Sequence, residues 1–518
     1  MRARLLAPAL AGSALLAYFA AELYVIGRPG FPLDDAWIHL QFAARLGAAD
    51  GLAYNPGQLV TGSSSPLWTA LLSLAFLLAA PFGILWSKFL GAVFFLLAVF
   101  GCDRLAQELG LNRTSRLLAG LMVASTHWLL WAALSGMEVT LFTALSLWGL
   151  IFHIREKRRG SGFLGTIVIA LACLARPEGL LLLGLALADR LLQYRPATDE
   201  SAPTVLLRRD PDGLKPWLAT AVLVVPIALF YFSISGSPAP STLAAKTRPD
   251  LLPNGAYLRL VVDIFWRSQP ILTLLALAGV IRGLRRSQTG GGLVAVWLLA
   301  LPFAYSFLAA PGWPMPLGNF GRYYLPMIPL VVIFGLLALE PLLDELKNGL
   351  KLLGLPALLP ARGLIIAALL LPQVLTLGAG PARHVQTVAN VEDSDVRAAF
   401  WLRERLPADA LLAVQDVGAL KFYLPNHVID LAGLVSPEII PVLRQDDGVY
   451  WEQHLLQFLA EKRPDYLVVF SASYPMLTSS SQFRRVASFD IENNVTMAGD
   501  ELVILETPWS DQPLDPPP

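Results

Sequence analysis

Two adjacent carboxylates stand out among the residues whose types and spacing suit chemistry. Asp34 and Asp35 follow the first long apolar run and open a helix-like Ala-Trp-Ile-His-Leu-Gln-Phe pattern. One interpretation is capping, in which either carboxylate accepts backbone N–H bonds at the start of an interfacial helix. The other is a general base or a divalent-ion ligand at a membrane surface. Because one aspartate can cap while its neighbour reacts, the two interpretations are compatible.

Six further ionisable residues are candidates to assist this pair. His39 stands four residues after Asp35, which places both side chains on one face of a helix. Four of the others lie at the ends of later apolar runs, and one lies in the predicted loop 236–268: Glu138, Arg176, Glu178 and Arg322, and Lys246. Arginine and lysine at a membrane surface are commonly snorkelling anchors, whereas acidic residues snorkel poorly. Together these residues predict a pocket whose cations hold a phosphate and whose carboxylates meet a hydroxyl group.

The composition indicates what kind of protein must position these residues. Of 518 residues, 55% are hydrophobic and only 15% are charged, and the mean hydropathy is +0.56. A soluble protein carries about a quarter charged residues and could not hide this much apolar surface in its core. We therefore expect a polytopic membrane protein. The 39 basic and 39 acidic residues leave no basic stripe for nucleic acid, and the two cysteines suggest neither a disulfide framework nor a zinc site.

About eleven apolar runs approach the roughly 20 residues that a membrane-spanning helix needs. They are 4–27, 84–101, 117–133, 139–154, 161–175, 178–194, 216–235, 269–283, 291–310, 323–343 and 363–380. A twelfth run, 66–81, is ambiguous. If it does not cross, the basic loops all fall on one side, as is typical of the cytoplasm. We therefore predict an interfacial or re-entrant helix at 66–81, a cytoplasmic N-terminus, and an outer face formed by 28–66, 236–268 and 310–322.

Beyond about residue 383 the sequence changes character. Runs of β type at 411–416, 427–431, 466–470 and 502–506 alternate with helical runs at 394–406 and 452–462. This alternation predicts a soluble α/β domain. We therefore divide the chain into a membrane domain, 1–382, and an extracytoplasmic domain, 383–518, whose Pro-rich end is expected to be disordered.

Several of these motifs together resemble a known family. The acidic pair followed by Ala-Trp-Ile is similar to the first outer loop of polyprenyl-phosphate-sugar-dependent membrane glycosyltransferases of the GT-C fold. Within that group, the runs 54–57 (Tyr-Asn-Pro-Gly) and 62–68 (Gly-Ser-Ser-Ser-Pro-Leu-Trp) look most like the terminal β-(1→2)-arabinofuranosyltransferases. The later runs 134–138, 176–179, 322–326, 415–418 and 428–434 also look like motifs of this family. The family often has Tyr where this chain has Trp37, a change that keeps a hydrophobic contact but loses a hydroxyl contact to sugar.

The resemblance implies a fold, a reaction and a set of roles. The fold is GT-C, with about eleven transmembrane helices plus interfacial helices, in the inner (plasma) membrane of a bacterium. The donor is a polyprenyl phosphate bearing one sugar, with arabinofuranose favoured, and the acceptor is a cell-envelope glycan. The base is Asp34 or Asp35; Lys246, Arg322 and, more weakly, Arg176 meet the phosphate; Glu138, Glu178, His39 and Trp37 orient the substrate. No ligand cluster requires a cofactor, although a divalent cation that bridges aspartate and phosphate is left open.

Other functions remain alternatives at this stage. A transporter or flippase of lipid-linked sugar would need polar residues near the bilayer midplane and internal repeats, whereas here the ionisable residues cluster at one face. A scaffolding protein would explain the outer domain but not the acidic pair with its cations. The same fold can also transfer mannose, aminoarabinose or another sugar to protein or lipid, and the sequence hardly separates these sugars.

Overall fold

The computed structural model describes residues 5–514 apart from 78–81, 196–203, 208–209, 211, 248, 286–289, 309–320, 353–358, 446–450 and 512–513. Most of the described residues are helical. The aromatic turn 310–322 and the Pro-rich end of the chain lie almost entirely outside the described residues, so the expectations for them stay predictions.

The first part of the membrane domain is built from helices with short connections. They are α1 (Leu6–Ile26), α2 (Asp34–Gly47), α3 (Pro66–Phe76), α4 (Gly83–Glu108), α5 (Arg113–Ala124), α6 (His127–Leu134), α7 (Val139–Arg159), α8 (Leu164–Ala175) and α9 (Gly179–Leu191). Local sequence sets their limits. α1 ends at Gly27, which has a left-handed φ of 79°. α5 begins after Asn112, whose side chain accepts the N–H groups of Thr114 and Ser115.

The second part follows a short hairpin of β1 (Leu192–Arg195) and β2 (Thr204–Leu207). Its helices are α10 (Lys215–Ser235), α11 (Ser241–Lys246), α12 (Gly255–Ser268), α13 (Pro270–Arg285), α14 (Gly291–Ser306), α15 (Ile328–Leu352) and α16 (Leu359–Val391). Two 3₁₀ turns, Gly321–Tyr323 and Leu325–Met327, precede α15. The chain turns sharply at Gln269, because the Pro270 that follows disfavours helical geometry there.

Every predicted span contains a helix, but fewer helices than expected are long and apolar enough to cross a bilayer. Within the described residues five helices meet both conditions, and seven do if α5 with α6 (bent by 52°) and α12 with α13 (bent by 118°) each count as one span. The expected number of about eleven transmembrane helices stays a prediction. Polar junctions shorten some of the helices: α8 has 12 residues and α9 has 13, on either side of Arg176. At 1.5 Å per residue each is well short of the ~30 Å hydrocarbon core.

The described part of the ambiguous run 66–81 forms a helix that is too short to cross. Pro66 begins α3 and Phe76 ends it, so its 11 residues extend for about 16 Å. This is about half of the hydrocarbon thickness, in agreement with the prediction that 66–81 is not a transmembrane span.

The C-terminal part is an α/β domain, as predicted. Its mixed sheet has the order β4-β3-β5-β7-β6, in which β3 pairs parallel with β4 and β5, and β7 pairs antiparallel with β5 and β6. The strands are β3 (Leu412–Val414), β4 (Val428–Asp430), β5 (Tyr466–Phe470), β6 (Arg484–Asp490) and β7 (Glu501–Glu506). The helices are α17 (Arg397–Arg403), α18 (Gly418–Tyr423), α19 (Ile440–Arg444), α20 (Trp451–Lys462) and α21 (Pro475–Ser479). The sequence did not predict β6, because this edge strand exposes its charged side chains.

No break in secondary structure marks the predicted domain boundary at residue 382. Helix α16 passes through it, continues in a π-helical turn (Glu392–Val396) and joins α17. Successive strand residues point to opposite faces of the sheet. Leu412 and Val414 therefore join the core formed by the membrane helices, whereas Ala413 belongs to a separate core with α20. The α/β domain is seated directly on the membrane domain.

Candidate functional site

The first turn of α2 directs Asp35 into a cavity. Its carboxylate lies between two cations: both Oδ atoms are 3.4 Å from Lys246 Nζ, and the Arg322 guanidinium donates to Oδ2. The Asp35 side chain is 24% exposed and that of Arg322 only 6%. Burial raises the pKa of Asp35, but the charges of Arg322 and Lys246 outweigh this effect and hold the pKa well below its usual range.

Most of the candidate site residues predicted from the sequence line this cavity. Seven ionisable candidates line it: Asp35, His39, Glu138, Arg176, Glu178, Lys246 and Arg322. Gly62 and Ser64 of the first outer loop contribute to the wall, and Leu434 contributes from the α/β domain. The cavity therefore lies where α2, the helix junctions and the α/β domain meet. Asp34 and Trp37 are not part of its lining.

Arg176 is already satisfied by carboxylates of the protein. Its Nη1 donates to Glu138 at 2.8 Å and its Nη2 to Glu178 at 2.6 Å. His39 Nε2 lies 3.1 Å from the second oxygen of Glu138. The Arg176 guanidinium also covers the Tyr323 ring, 4.9 Å from its centroid. This buried network braces the cavity wall and leaves Lys246 and Arg322 as the cations that face Asp35.

Asp34 faces the α/β domain instead of the cavity. Its two carboxylate oxygens accept the backbone N–H groups of Gly418, at 2.6 Å, and Ala419, at 2.7 Å. A Cβ on Gly418 would lie 2.1 Å from the Asp34 backbone oxygen, so only glycine permits this approach. Asp34 thus caps α18, a helix far away in sequence, whereas Leu33, at the start of its own helix, provides no side-chain cap. Burial raises the pKa of Asp34 to about 7, although the two N–H bonds oppose the shift and the charge of Asp35 adds to it.

Trp37 packs inside the same junction. It is fully buried, and its ring lies 5.0 Å from Phe31, 5.3 Å from Phe422 and 5.1 Å from Tyr423, between ring centroids. The structure therefore places Trp37 in an aromatic cluster between α2 and α18. Its predicted contact with a substrate is not part of this arrangement.

The polar motif at 54–57 serves the domain junction as well. The Tyr54 hydroxyl donates to Val417 O at 3.0 Å. Asn55 pairs with the backbone of Val428 through its amide N–H and its carbonyl oxygen, at 3.0 and 3.1 Å. Tyr54 thus fastens this loop to the residue before α18, and Asn55 fastens it to β4. The run 62–64, by contrast, reaches the cavity wall.

Sequence reasoning missed two tyrosines of the cavity, Tyr257 and Tyr305. Tyr257 lies in the predicted loop 236–268 and Tyr305 near the end of the run 291–310. Aromatic residues are frequent as interfacial anchors in such places, so their position carries no specific signal. Tyr305 lies 5.4 Å from Tyr323, between ring centroids. The aromatic wall becomes apparent only when the helices are assembled.

Several carboxyl groups gather where Asp34 meets the α/β domain. Burial raises the pKa of Asp416 well above its usual range, and the charges of Asp34, Asp35 and Asp430 raise it further. Asp395 is fully buried, and among the described residues neither of its carboxylate oxygens has a hydrogen-bond partner. Nevertheless, within the described part of the chain no three His, Cys, Asp or Glu side chains are arranged to hold a metal ion.

Comparisons with known proteins bear on this architecture. A family model described as a domain of unknown function (DUF8728) matches residues 384–505. No curated protein is significantly similar in sequence. The structure is similar to the apo oligosaccharyltransferase of Archaeoglobus fulgidus, with 13% identity and a TM-score of 0.59, over 90% of this chain and 69% of that one. It is also similar to ArnT of Cupriavidus metallidurans bound to undecaprenyl phosphate, with 14% identity and a TM-score of 0.57, over 97% of this chain and 98% of that one.

The chain has the GT-C fold. This confirms the fold that the sequence predicted, and identities this low show the fold alone. The mycobacterial arabinofuranosyltransferase AftD overlaps with a TM-score of 0.41 over 41% of its length. That likeness is too weak to carry an argument about arabinose.

Proposed function

We propose that this chain is a membrane glycosyltransferase that moves one sugar from a polyprenyl-phosphate donor to a cell-envelope glycan, at the outer face of a bacterial inner membrane. The observation that carries the proposal is Asp35, held between Lys246 and Arg322 inside the cavity. A carboxylate and two cations are the groups that a reaction with a phosphate leaving group needs. Similarity in fold to ArnT, whose structure contains undecaprenyl phosphate, supports the lipid donor.

In the proposed reaction the acceptor oxygen bonds to the anomeric carbon while the bond from that carbon to the phosphate oxygen breaks. The electron pair of the broken bond stays on the phosphate, where Lys246 and Arg322 stabilise it. The hydroxyl proton passes to Asp35. When the donor phosphate draws the two cations away from Asp35, the pKa of that carboxyl rises, because its depression depends on their charges. Donor binding thereby makes the Asp35 carboxylate a stronger base.

The remaining candidates have supporting roles in this proposal. Glu138 and Glu178 hold Arg176 in place, and His39 and Glu138 are positioned to meet sugar hydroxyls at the wall. Arabinofuranose is our proposal for the sugar, on the resemblance of the runs 54–57 and 62–68 alone. A divalent cation at the donor phosphate stays a proposal, which the effect of a chelator on turnover tests.

The decisive experiment presents the chain in nanodiscs with radiolabelled polyprenyl-phosphate sugars (arabinofuranose, mannose and aminoarabinose) and a cell-envelope extract as acceptor. We expect the wild type to consume one donor. We expect Asp35→Asn to slow transfer about 10²- to 10⁴-fold, which is the usual contribution of a general base. The matched control is Asp50→Asn, since Asp50 follows the same helix but is 42% exposed and forms its salt bridge with Arg45, away from the cavity lining.

Two results would contradict the proposal. In the first, Asp35→Asn and Asp50→Asn transfer sugar equally well. In the second, no donor is consumed but labelled lipid crosses the bilayer of proteoliposomes, which would favour a transporter.

A further inference from the structure

A second cavity lies at the opposite end of the membrane domain from Asp35. It occupies about 800 Å³ between α1, α4 and α5, within the range of about 300–1,000 Å³ that is typical of ligand pockets. Helix α1 begins beside this cavity, and its 21 residues extend about 31 Å towards the first outer loop. The second cavity is therefore separate from the candidate active site.

The walls of the second cavity are apolar. Ala7 and Pro8 line it from α1, Val99 and Phe100 from α4, and Leu117 from α5. At the back stands Gly120, where an added Cβ would lie 3.1 Å from the Ala7 Cβ. A hydrocarbon chain fits such walls, because they offer it no hydrogen-bonding groups.

The rim of the second cavity is basic. Arg104, Arg113 and Arg116 face a single acid, Asp103. Arg116 takes both oxygens of Asp103, at 3.1 and 2.8 Å, while Arg104 stays 3.9 Å from it. Arg113 is exposed, and among the described residues it has no salt bridge or side-chain hydrogen bond. Three positive charges against one negative charge leave the rim cationic.

We propose that this cavity binds an anionic phospholipid, with an acyl chain against the apolar walls and the phosphate at Arg113 and Arg104. The bilayer supplies both halves of this ligand, and basic pockets between transmembrane helices are suited to anionic headgroups. The positive residues place the rim on the predicted cytoplasmic side. This inference does not rest on the proposed glycosyltransferase function.

The test is native mass spectrometry of the full chain released from nanodiscs of phosphatidylcholine mixed with phosphatidylglycerol. We expect the wild type to retain phosphatidylglycerol in preference to phosphatidylcholine. Arg113→Gln should weaken that retention about fivefold, the factor expected for one basic residue near an anionic headgroup. Gly120→Leu should abolish retention of lipid, because its side chain enters the space between α1 and α5. The matched control is Arg159→Gln, an exposed arginine at the end of α7 on the same predicted side.

The proposal fails if the wild type retains the two lipids equally. It also fails if Arg113→Gln and Arg159→Gln lose phosphatidylglycerol to the same extent, since that result would indicate surface charge alone. Where Gly120→Leu does not fold, the double variant Arg104→Gln/Arg113→Gln decides, because both side chains lie at the rim and are at least partly exposed.

Discussion

Asp34 and Asp35 are neighbours in one helical turn, yet they contact different parts of the molecule. Successive side chains of an α-helix point about 100° apart, so Asp35 meets Lys246 while Asp34 meets the backbone of Gly418. The environment then separates their acidities: the pKa of Asp34 is raised to about 7, whereas that of Asp35 is lowered. Asp34 thereby anchors α2 to the α/β domain, whereas Asp35 faces the cavity, where we propose that it acts as the base.

Asp34→Asn tests the anchoring task. An asparagine keeps one acceptor oxygen but turns an amide N–H towards one of the two backbone donors, so we expect a loss of about 1–2 kcal/mol of stability. Thermal unfolding in detergent measures it, with Asp50→Asn as the control that should leave the midpoint unchanged. A midpoint of Asp34→Asn equal to that of the wild type would show that the cap on α18 is unimportant.

The raised pKa of Asp416 makes the stability of the fold depend on pH. Because burial raises the pKa of Asp416 above its unfolded value, the folded chain holds a proton that the unfolded chain has released. Stability therefore falls as the pH rises from about 4 towards the folded pKa. Asp416→Asn removes this ionisation, so we expect higher unfolding midpoints than wild type at pH 8 and little difference at pH 4.

Unfolding midpoints between pH 4 and 8 measure this effect. Asp34 and Asp430, whose pKa values burial raises to about 7 and about 6, should preserve part of the pH dependence. The matched control, Asp409→Asn, replaces an exposed aspartate of the same domain. A variant Asp416→Asn that is no more stable than Asp409→Asn at pH 8 would refute the argument.

At the scale of elements, the site depends on the contact between α2 and α18. In Gly418→Ala the new methyl carbon would lie 2.1 Å from the Asp34 backbone oxygen, which is far closer than a normal contact. We expect α2 to shift, Asp35 to leave its cations and sugar transfer to fall at least tenfold. Gly184→Ala is the control, since nothing lies within 4 Å of a Cβ there. The transfer assay compares the two variants, and equal activity would show that α2 does not depend on this contact.

Most elements could be predicted from the sequence, because apolar runs and alternating strands are local signals. What escaped prediction is non-local. Charged junctions such as Arg176 divide apolar sequence into shorter helices, and the apolar runs alone did not show where those helices end. The four-residue spacing of Asp35 and His39 correctly predicted that both belong to one site. The contact of Asp34 could not be predicted, because its partner Gly418 lies 384 residues away in the sequence. Tyr257 and Tyr305 were missed for the same reason.

At the scale of the whole molecule, the candidate active site and the second cavity lie at opposite ends of the membrane domain. The predicted orientation puts the first outside and the second in the cytoplasm. Val495→Cys, at a position 43% exposed in the α/β domain, should react with a membrane-impermeant maleimide in intact spheroplasts. Arg159→Cys should react only after lysis. The native cysteines, Cys102 and Cys173, are buried and should contribute little background. The reverse labelling pattern would invert the topology.

The contact between Asp34 and Gly418 also orders events during biosynthesis. At about 5–20 residues per second, the ribosome needs roughly 20–80 s to add the 384 residues that separate the two partners. Until then Asp34 has no backbone N–H groups of Gly418 and Ala419 to bind, and α2 lacks α18, the helix against which it packs. An unfinished chain therefore reaches the membrane with its carboxylates present but not assembled into a site. The proposed transfer can therefore begin only after Gly418 has been added to the chain.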